Sequence, residues 1–458
     1  MKIPRLLWLM IGISVLVLFI CASLRHWLFQ SNALDLGWFD QSLYLISQGK
    51  SPIVSFSEDH ILGDHAAFIF YPLALFYIIY PSVHWLFLIQ ALALSVAALP
   101  LWQLSKQAGL KDNLAWVMVG TYLLYPLIFN VNLFDFHSEV IALPVIFGSV
   151  LAARLNYFRL FVLGIIIILS CKAVLSLTVA AMGIWLLLCE KKKLSGSFAL
   201  VLGVFWFVVT TQIIIPQFSG DEVAAVGRYS FLGDSVTEIA KNLIFRPMII
   251  LSRIFTLKNL EYLVLLFVPI IWGLSPRYLS PLIPAIPALA LNLLTDYQPQ
   301  KDLVHQYSLP ILPFLLLSVM ATLAAGKGLI RRPIYILSWS LITFLALAKY
   351  SYFGSRYLDQ LDTLSAMRQA VNLVPAEVKV LTSPQISPHL THRSLIKLAI
   401  KDQEPIDIQN FDFILLNTRY PSWPNSQDTV NNLVNQLQNN SSFQLNYSQD
   451  GVILFEKD

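Results

Sequence analysis

Apolar runs long enough to cross a membrane constrain this chain more than any other feature. They follow one another along most of its 458 residues and are separated by short polar gaps. A membrane-spanning helix needs about 20 apolar residues, within a range of roughly 17–25. The composition agrees, because only 13% of the residues are charged, against roughly 25% in a soluble domain. The sequence therefore predicts an α-helical polytopic membrane protein.

The length criterion predicts eleven spans. They lie near residues 6–24, 84–104, 114–130, 139–154, 158–171, 174–189, 197–216, 259–274, 278–295, 308–325 and 332–348. Two further apolar stretches are left out of this count. Residues 66–80 are assigned to a helix at the membrane interface or a half-buried hairpin, and residues 243–257 to a helix on the outer interface. The first contains Pro72 and many aromatic residues, and the second carries Arg246 and Arg253. A short full span is the alternative for each stretch.

The basic residues predict the orientation of the spans. Lys2 and Arg5 precede the first span, and the basic groups within 191–193 and 327–332 fall on the same side when the spans are counted. Because basic loops stay in the cytoplasm, we expect the N-terminus inside, the segment after residue 349 outside, and the protein in the plasma membrane. A signal peptide is the alternative for the first run, but that run lacks an A-x-A cleavage pattern.

The composition changes near residue 350. Apolar runs shorten there, and Asn, Gln, Ser, Asp and Pro become frequent. Periodicity predicts a helix that stops before Pro375 and a second helix capped by Ser426. Strands are predicted in VKVLT and FDFILLN, and a C-terminal hairpin turns through Asp450-Gly451.

This change predicts two domains. Residues 1–349 form a transmembrane domain whose long first outer loop, 25–83, carries juxtamembrane helices, and residues 350–458 form a small extracytoplasmic α/β domain. The α/β domain has no glycine-rich loop after a strand, which argues against nucleotide binding. The net charge of +4 is too small to indicate a nucleic-acid partner, and the three cysteines form no disulfide framework or CxxC metal pattern.

Acidic residues and histidines gather in the gaps that are predicted to lie on the outer face. The first of these gaps, DLGWFDQ, contains Asp35 and Asp40. On a helix these two carboxylates lie roughly 140° apart, so one could face a site while the other caps or pairs. The alternative is that Asp35 is an N-cap and Asp40 is a solvated side chain.

Two later gaps carry the other acids. Asp64 and His65 follow a turn glycine, and Asp135, His137 and Glu139 lie in DFHSE. The Asp64–His65 pair could hold a metal, share a proton, or form only a hydrogen-bonded surface pair. If helical, Asp135 and Glu139 share one face and could clamp a divalent cation or accept a proton from a sugar hydroxyl. Alternatively, these acids only place negative charge at the N-terminus of the next span.

Lys172 and His305 are candidates for the same outer pocket. Lys172 lies at an outer turn between two spans, where a lysine is costly unless it is paired or wetted. It could bind a phosphate or carboxylate group, or it could extend to the outer lipid head groups. His305 precedes the span at 308, and a solvated histidine beside the interfacial Tyr307 is its alternative.

The stretches that carry these residues resemble a bacterial and archaeal family of predicted membrane proteins with an uncharacterised common domain. The resemblance lies in DLGWFDQSLY, ILGDHAAFIFYPLALFYIIYPS, QALALSVAALPLW, LLYPLIFNVNLFDFHSEVIALPV, HQYSLPILPFL and PAEVKVLTSPQISPHLTHRS. It runs from about residue 30 to the end of the chain. That family is in turn similar to the class C glycosyltransferases, which move a sugar from a polyprenyl-phosphate carrier to an acceptor on the outer face.

The resemblance implies roles for the candidate residues. Asp35 or Asp40 would be the catalytic residue of the first outer loop. The substrate-binding residues would be Asp64, His65, Asp135, His137, Glu139, Lys172 and His305. A divalent cation, Mg²⁺ or Mn²⁺, held by Asp40, Asp135 and His137 is an open alternative to a metal-free base. In that family two acidic residues follow the lysine at the position of Lys172, whereas Ala173 and Val174 follow it here, so this chain could be a diverged or weakened enzyme.

The expected function is therefore sugar transfer in the cell envelope, with membrane lipid and a polyprenyl-phosphate-linked sugar donor as partners. We expect Asp40, Asp64 and Asp135 to share one pocket and to lie within roughly 15 Å of one another. A transporter or lipid-binding protein, whose acids relay protons or cations, is the first alternative. The sequence lacks the internal repeats and midplane helix breaks that are typical of transporters. A non-catalytic scaffold that displays the α/β domain is the second alternative.

Overall fold

The described chain divides into two compact units. A computed structural model describes residues 3–221, 223–400, 407–422 and 425–458. Lys2, which contributes to the predicted orientation, lies outside the described residues. Unit 1 comprises Met1–Phe19, Leu62–Ile69 and Leu88–Lys349, and unit 2 comprises Ile20–Ile61, Phe70–Phe87 and Tyr350–Asp458. One boundary coincides with the compositional change near residue 350, but most of the first outer loop belongs to unit 2.

Helices dominate the described residues. The first eleven are α1 (Arg5–Trp27), α2 (Trp38–Ser47), α3 (Ile61–Asp64), α4 (Phe70–Ile79), α5 (His84–Val96), α6 (Ala98–Gln107), α7 (Asp112–Leu123), α8 (Pro126–Phe134), α9 (Glu139–Arg154), α10 (Phe158–Cys171) and α11 (Leu175–Leu188). The others are α12 (Lys193–Val209), α13 (Ile215–Ser219), α14 (Val236–Phe245), α15 (Pro247–Ile254), α16 (Leu257–Phe267), α17 (Ile286–Leu294), α18 (Leu312–Ala324), α19 (Pro333–Leu347), α20 (Tyr350–Leu358), α21 (Leu361–Leu373) and α22 (Gln427–Gln438). The strands are β1 (Val380–Thr382), β2 (Ile396–Leu398), β3 (Phe413–Asn417), β4 (Phe443–Gln449) and β5 (Val452–Lys457).

Several helical stretches are suited to a bilayer. Within the described residues, five are long and apolar enough to cross one: Arg5–Trp27, His84–Gln107, Asp112–Phe134, Lys193–Ser219 and Pro333–Leu358. A sixth candidate is the pair Pro247–Ile254 and Leu257–Gly273, which is bent by 63°. Shorter apolar helices cover Phe70–Ile79, Phe158–Cys171, Leu175–Leu188, Ser280–Leu294 and Leu312–Ala324. The multi-pass helical prediction is confirmed, whereas the count of eleven and the orientation stay predictions.

In unit 1, glycines let α11 and α12 approach each other backbone to backbone. A Cβ placed on Gly183 would overlap the backbone nitrogen of Leu200, and one placed on Gly203 would lie 2.6 Å from the backbone nitrogen of Ala180. Small residues at helix interfaces permit this close van der Waals packing in membranes, where the hydrophobic effect does not drive helices together.

Unit 2 contains a five-stranded sheet with the order β2-β1-β3-β5-β4. β1 pairs in parallel with β2 and β3, whereas β5 runs antiparallel to both β3 and β4. α22 covers one face, where Ile414 and Leu416 pack with Val430 and Leu437 in one apolar core. Because side chains alternate along a strand, Asn417 points to the other face, where its amide donates to a hydroxyl of α21.

Part of the first outer loop is fastened to this sheet within unit 2. Ser55 accepts a hydrogen bond from the backbone N–H of Ile396 at 2.9 Å and donates to its carbonyl at 2.8 Å. The Gln41 amide donates to Ser55 at 2.9 Å and to the carbonyl of Arg393 at 3.1 Å. These bonds place α2 against the segment between β1 and β2, and that contact builds the first candidate site.

Candidate functional sites

Asp40 is the centre of a buried hydrogen-bond network in unit 2. Its side chain is 1% exposed, and Nε2 of His392 lies 3.1 Å from its Oδ2 atom. The hydroxyl of Tyr77 donates to Oδ1 at 2.5 Å, and the hydroxyl of Thr391 donates to Oδ2. We call Asp40, Tyr77, Thr391 and His392 the Asp40 centre. The alternative in which Asp40 is a solvated side chain is therefore wrong.

The carboxylate and the imidazole of this centre stabilise each other's charge. Burial alone would raise the pKa of Asp40, but His392, with the bonds from Thr391 and Tyr77, holds that pKa below its usual range. Burial would likewise lower the pKa of His392, but Asp40 outweighs it and raises that pKa. The centre is therefore a coupled carboxylate–imidazole pair.

Asp35 has different surroundings. A π-helical turn covers Ala33–Gly37, and the side chain of Asn32 caps it by accepting from the backbone N–H of Leu34 at 2.9 Å. The alternative in which Asp35 is the N-cap is therefore wrong, because Asn32 takes that position. Asp35 is half-buried, whereas Asp40 is fully buried.

A cavity of about 470 Å³ lies beside the Asp40 centre and is formed by residues of unit 2. Asp40, His392 and three further imidazoles, those of His26, His84 and His389, line it. The rings of His26 and His389 stack with centroids 3.9 Å apart. Ligand pockets measure about 300–1,000 Å³, so the cavity has room for a small polar ligand.

Two imidazoles of this cavity, those of His26 and His389, offer unused hydrogen-bonding capacity. Nδ1 of His26 and Nε2 of His389 are buried and bond to no partner among the described residues. Burial lowers the pKa of His389 to about 3, so this ring is neutral at neutral pH and carries one donor and one acceptor nitrogen. Such groups suit a ligand rich in hydroxyl groups.

A second group of predicted residues meets in unit 1. Nζ of Lys172 lies 2.7 Å from Oε1 of Glu139, and Nδ1 of His65 lies 2.5 Å from Oδ2 of Asp64. Glu139 also interacts electrostatically with His65 and His137. We call Asp64, His65, His137, Glu139 and Lys172 the Lys172 cluster. Pairing with Glu139 accounts for the lysine at this depth, where an unpaired charge is costly.

Arg228 extends the positive charge near the Lys172 cluster. Burial alone would raise the pKa of Asp64, but His65, Lys172 and Arg228 together hold it below its usual range. The guanidinium of Arg228 lies 4.4 Å from the ring centroid of Tyr297, and it donates to the Tyr307 hydroxyl at 3.3 Å. The cation–π contact fixes the planar guanidinium while it keeps its charge.

The segment from Asp135 to Ser138 differs from the predicted helical arrangement. α8 ends at Phe134 and α9 begins at Glu139, so Asp135 and Glu139 are not neighbours on one helix face. Asp135 has φ 120° and ψ 176°, a conformation that residues other than glycine adopt at a cost of about 1–3 kcal/mol. The predicted i, i+4 clamp is therefore wrong, whereas Glu139 does start the helix, as the helix-dipole alternative requires.

The aromatic ring of Phe134 joins two predicted histidines. It stacks on His137 with ring centroids 5.5 Å apart and meets the edge of His305 at 4.2 Å. Nδ1 of His305 lies 2.8 Å from Oδ2 of Asp302, and the histidine side chain is 19% exposed. His305 is thus a paired, largely covered side chain rather than a solvated one.

The described residues do not fit the predicted divalent-cation site. No group of three or more His, Cys, Asp or Glu side chains in the described part of the chain is positioned to hold a metal ion. Asp40 already receives bonds from Tyr77 and Thr391, and Glu139 is paired with Lys172. The predicted metal site of Asp40, Asp135 and His137 is therefore not supported.

Sequence reasoning assigned no role to four residues of these sites. Tyr77 lies in an apolar stretch and gives no signal of its own, and Arg228 is a lone cation in the polar segment that follows the apolar run 197–216. Thr391 and His392 occur in the string HLTHRS, which is part of the family resemblance. The histidine followed by an arginine in this string is the sequence signal that could have marked the segment as functional. The common pocket of Asp40, Asp64 and Asp135 stays a prediction.

The helices that are suited to a bilayer, together with the small sheet, define a mostly helical polytopic membrane protein. The chain belongs to the family described as "Predicted membrane protein (DUF2079)", whose profile matches residues 25–454. This match confirms the resemblance seen in the sequence.

One solved structure shows the same fold. The crystal structure of ArnT from Cupriavidus metallidurans bound to undecaprenyl phosphate has a TM-score of 0.60 and 12% identity, and the match covers 98% of this chain and 97% of ArnT. ArnT from the same organism in the apo state matches at a TM-score of 0.46 and 12% identity, over 96% and 97% of the two chains. A comparison with curated proteins finds no match.

Proposed function

We propose that this protein is a membrane glycosyltransferase, which moves a sugar from a polyprenyl-phosphate carrier to an acceptor on the outer face. The observation that carries the proposal is the likeness in fold to ArnT over 98% of the chain. That ArnT structure holds undecaprenyl phosphate, a polyprenyl phosphate of the kind that the proposed donor contains. Buried, paired charges in both units support a chemical rather than a purely structural role, because perturbed ionisable groups cluster at functional sites.

The Asp40 centre supplies the proton acceptor in this proposal. The acceptor hydroxyl loses its proton to the centre, and its oxygen forms a bond to the anomeric carbon of the sugar. The bond between that carbon and the phosphate oxygen breaks, and the electron pair leaves with the polyprenyl phosphate. Asp35 is the second candidate for the base, because it lies in the same loop and is more exposed.

The leaving phosphate gains negative charge and needs compensation. Unit 1 by itself contains two cations that suit a phosphate group, Lys172 and Arg228, and each is held in place by a partner within that unit. The guanidinium of Arg228 is suited to a phosphate because its planar donors match two phosphate oxygens. Charge compensation of this kind requires no metal ion.

The experiment measures sugar transfer in membranes that contain the protein. A radiolabelled polyprenyl-phosphate sugar is added, and the label that leaves the donor is followed in the parent and in Asp40→Asn and Asp35→Asn. We expect Asp40→Asn to lose about 10²–10⁴-fold in rate, the usual range for losing general-base catalysis, because the Asp40 centre then lacks its carboxylate. Asp428→Asn, an exposed carboxylate in the first turn of α22, serves as the matched control and is expected to transfer at the parent rate.

Two other outcomes would contradict part or all of the proposed function. Transfer at the parent rate by both Asn variants would show that the first-loop carboxylates are not involved. A parent protein that neither binds nor consumes such a donor would leave the transporter and scaffold alternatives.

A further inference from the structure

The exposures of the two charged groups in the Asp40 centre differ sharply. The carboxylate of Asp40 is 1% exposed, whereas the side chain of His392 is 31% exposed. The Tyr77 hydroxyl donates to one oxygen of the carboxylate. The other oxygen accepts from the Thr391 hydroxyl and lies 3.1 Å from Nε2 of His392. A substrate hydroxyl would have to displace one of these partners to reach Asp40 directly, but it can reach the imidazole without doing so.

We propose that His392, supplied by the segment between β1 and β2, is the catalytic base that takes the proton of the acceptor hydroxyl, and that Asp40 is its positioning residue. This inference rests on the proposed function and names the reacting group within it. It also assigns the cavity beside His392 to the hydroxyl-bearing acceptor.

The two nitrogens of His392 have separate tasks in this arrangement. Nε2 lies 3.1 Å from Oδ2 of Asp40 in an ion-pair contact. In the proposed arrangement the ring proton is on this nitrogen, beside the carboxylate, which leaves Nδ1 as the basic nitrogen. Among the described residues, no group forms a hydrogen bond with Nδ1. The stack of the imidazole on Tyr44, with ring centroids 5.1 Å apart, limits rotation of the ring and fixes the direction of Nδ1.

The proton transfer is balanced within the proposed reaction. The acceptor O–H bond breaks and its proton moves to Nδ1 of His392, so that the ring becomes an imidazolium ion that Asp40 stabilises. The acceptor oxygen bonds to the anomeric carbon, and the polyprenyl phosphate leaves with the electron pair of the broken carbon–oxygen bond. The proton on Nδ1 then passes to water, which restores the neutral ring.

The cavity supplies the other contacts that an acceptor with several hydroxyl groups requires. Nδ1 of His26, which is 5% exposed, and Nε2 of His389 bond to no partner among the described residues. A hydroxyl group can donate to one of these nitrogens and accept from another. Both residues line the same 470 Å³ space as His392.

The charge of Asp40 also determines how the rate of the proposed sugar transfer depends on pH. The titratable and charged groups that face His392 are Asp40, Tyr44, Tyr77, His26 and the adjacent Arg393. Asp40 raises the pKa of His392, although burial opposes it. Because a base must be neutral to act, the rate of the parent is expected to rise with pH through this raised pKa. Asp40→Asn lacks the negative charge that raises the pKa of His392. The acidic limb of its pH–rate profile is therefore expected to move to lower pH, and its maximum rate is expected to fall.

The experiment combines a pH–rate profile with chemical rescue. Transfer from the radiolabelled donor is measured in the full-length parent, His392→Gln, His392→Gly and Asp40→Asn, and donor binding is measured separately in each. We expect His392→Gln to lose about 10²–10⁴-fold in rate with donor binding unchanged, and added imidazole to restore part of the activity of His392→Gly. A purely structural histidine would show no rescue by imidazole.

The possible failures can be told apart. Transfer by His392→Gln at the parent rate, or an acidic limb that stays in place in Asp40→Asn, would overturn the assignment of His392 and leave the proposed glycosyltransferase intact. If His392→Gln does not fold, the rescue of His392→Gly and the shift in Asp40→Asn still decide the question. An inactive parent would overturn the proposed function and this inference together.

Discussion

At the scale of single residues, the Lys172–Glu139 ion pair links stability to the candidate site. Its side chains are 14% and 4% exposed and lie 2.7 Å apart. Removing one partner of a buried pair costs about 3–5 kcal/mol, because the other charge stays buried and unpaired, whereas neutralising both partners is often tolerated. A loss of activity in a Lys172 variant can therefore come from lost folding as well as from lost phosphate binding.

Lys172→Ala is expected to lower the free energy of unfolding by about 3–5 kcal/mol. The double variant Glu139→Gln/Lys172→Gln is expected to recover most of that loss, since it leaves no unpaired charge. Denaturant unfolding of the purified proteins in detergent measures both values. A double variant as unstable as Lys172→Ala would contradict the ion-pair account.

At the scale of secondary structure elements, the sequence predicts what depends on local pattern. The helix α21 that ends before Pro375, the Ser426 cap of α22, the strand β3 and the hairpin through Asp450 all depend on neighbours in the chain, and these predictions are confirmed. The three-residue strand β2 was missed, because a run so short carries no periodic signal.

The candidate sites depend on contacts that no local pattern encodes. The Thr391 hydroxyl bonds to Asp40 across 351 positions of sequence, and Lys172 pairs with Glu139 across 33. The sequence therefore predicted Asp40 and Lys172 as candidates by residue type and placement, but not their partners. The gap between the spans that end at 130 and begin at 139 was predicted, but the unusual backbone conformation of Asp135 was not, since a strained backbone depends on the structure around it.

The packing of α11 against α12 provides a test at the element scale. Gly183→Ala is expected to lower the free energy of unfolding by about 1–3 kcal/mol, the usual cost of overpacking, because the added methyl group would overlap the backbone of Leu200. Gly148→Ala in α9 is the matched control, since nothing lies within 4 Å of its added Cβ. Alanine favours a helix over glycine by about 1 kcal/mol, so this control is expected to be neutral or stabilising. Equal stabilities in thermal unfolding would contradict the close approach.

At the scale of the whole molecule, the fold likeness to ArnT and the basic loops lead to separate expectations. The fold likeness covers nearly the full chain and is the basis of the proposed chemistry, whereas the predicted orientation rests on the distribution of basic residues. Sugar transfer on the outer face requires both to hold, because His392 and the C-terminal residues of unit 2 must then be extracytoplasmic.

Reporter fusions test this orientation. Alkaline phosphatase fused after Asp458 is expected to be active, because the enzyme requires export and the segment after residue 349 is predicted outside. The same reporter fused within the basic run Lys191–Lys193 is the control and is expected to be inactive. An inactive C-terminal fusion beside an active one in the basic run would invert the topology and remove the outer-face proposal.

Protein-dependent transfer from outside the membrane tests the central claim most directly. Right-side-out membrane vesicles with the parent, with Asp40→Asn and without the protein receive a radiolabelled short-chain polyprenyl-phosphate sugar in the outer solution. The account predicts that label passes from the donor to an acceptor fraction only with the parent, and that Asp40→Asn is slower by about 10²–10⁴-fold. Equal transfer in vesicles with and without the protein, or in the parent and Asp40→Asn, would contradict it.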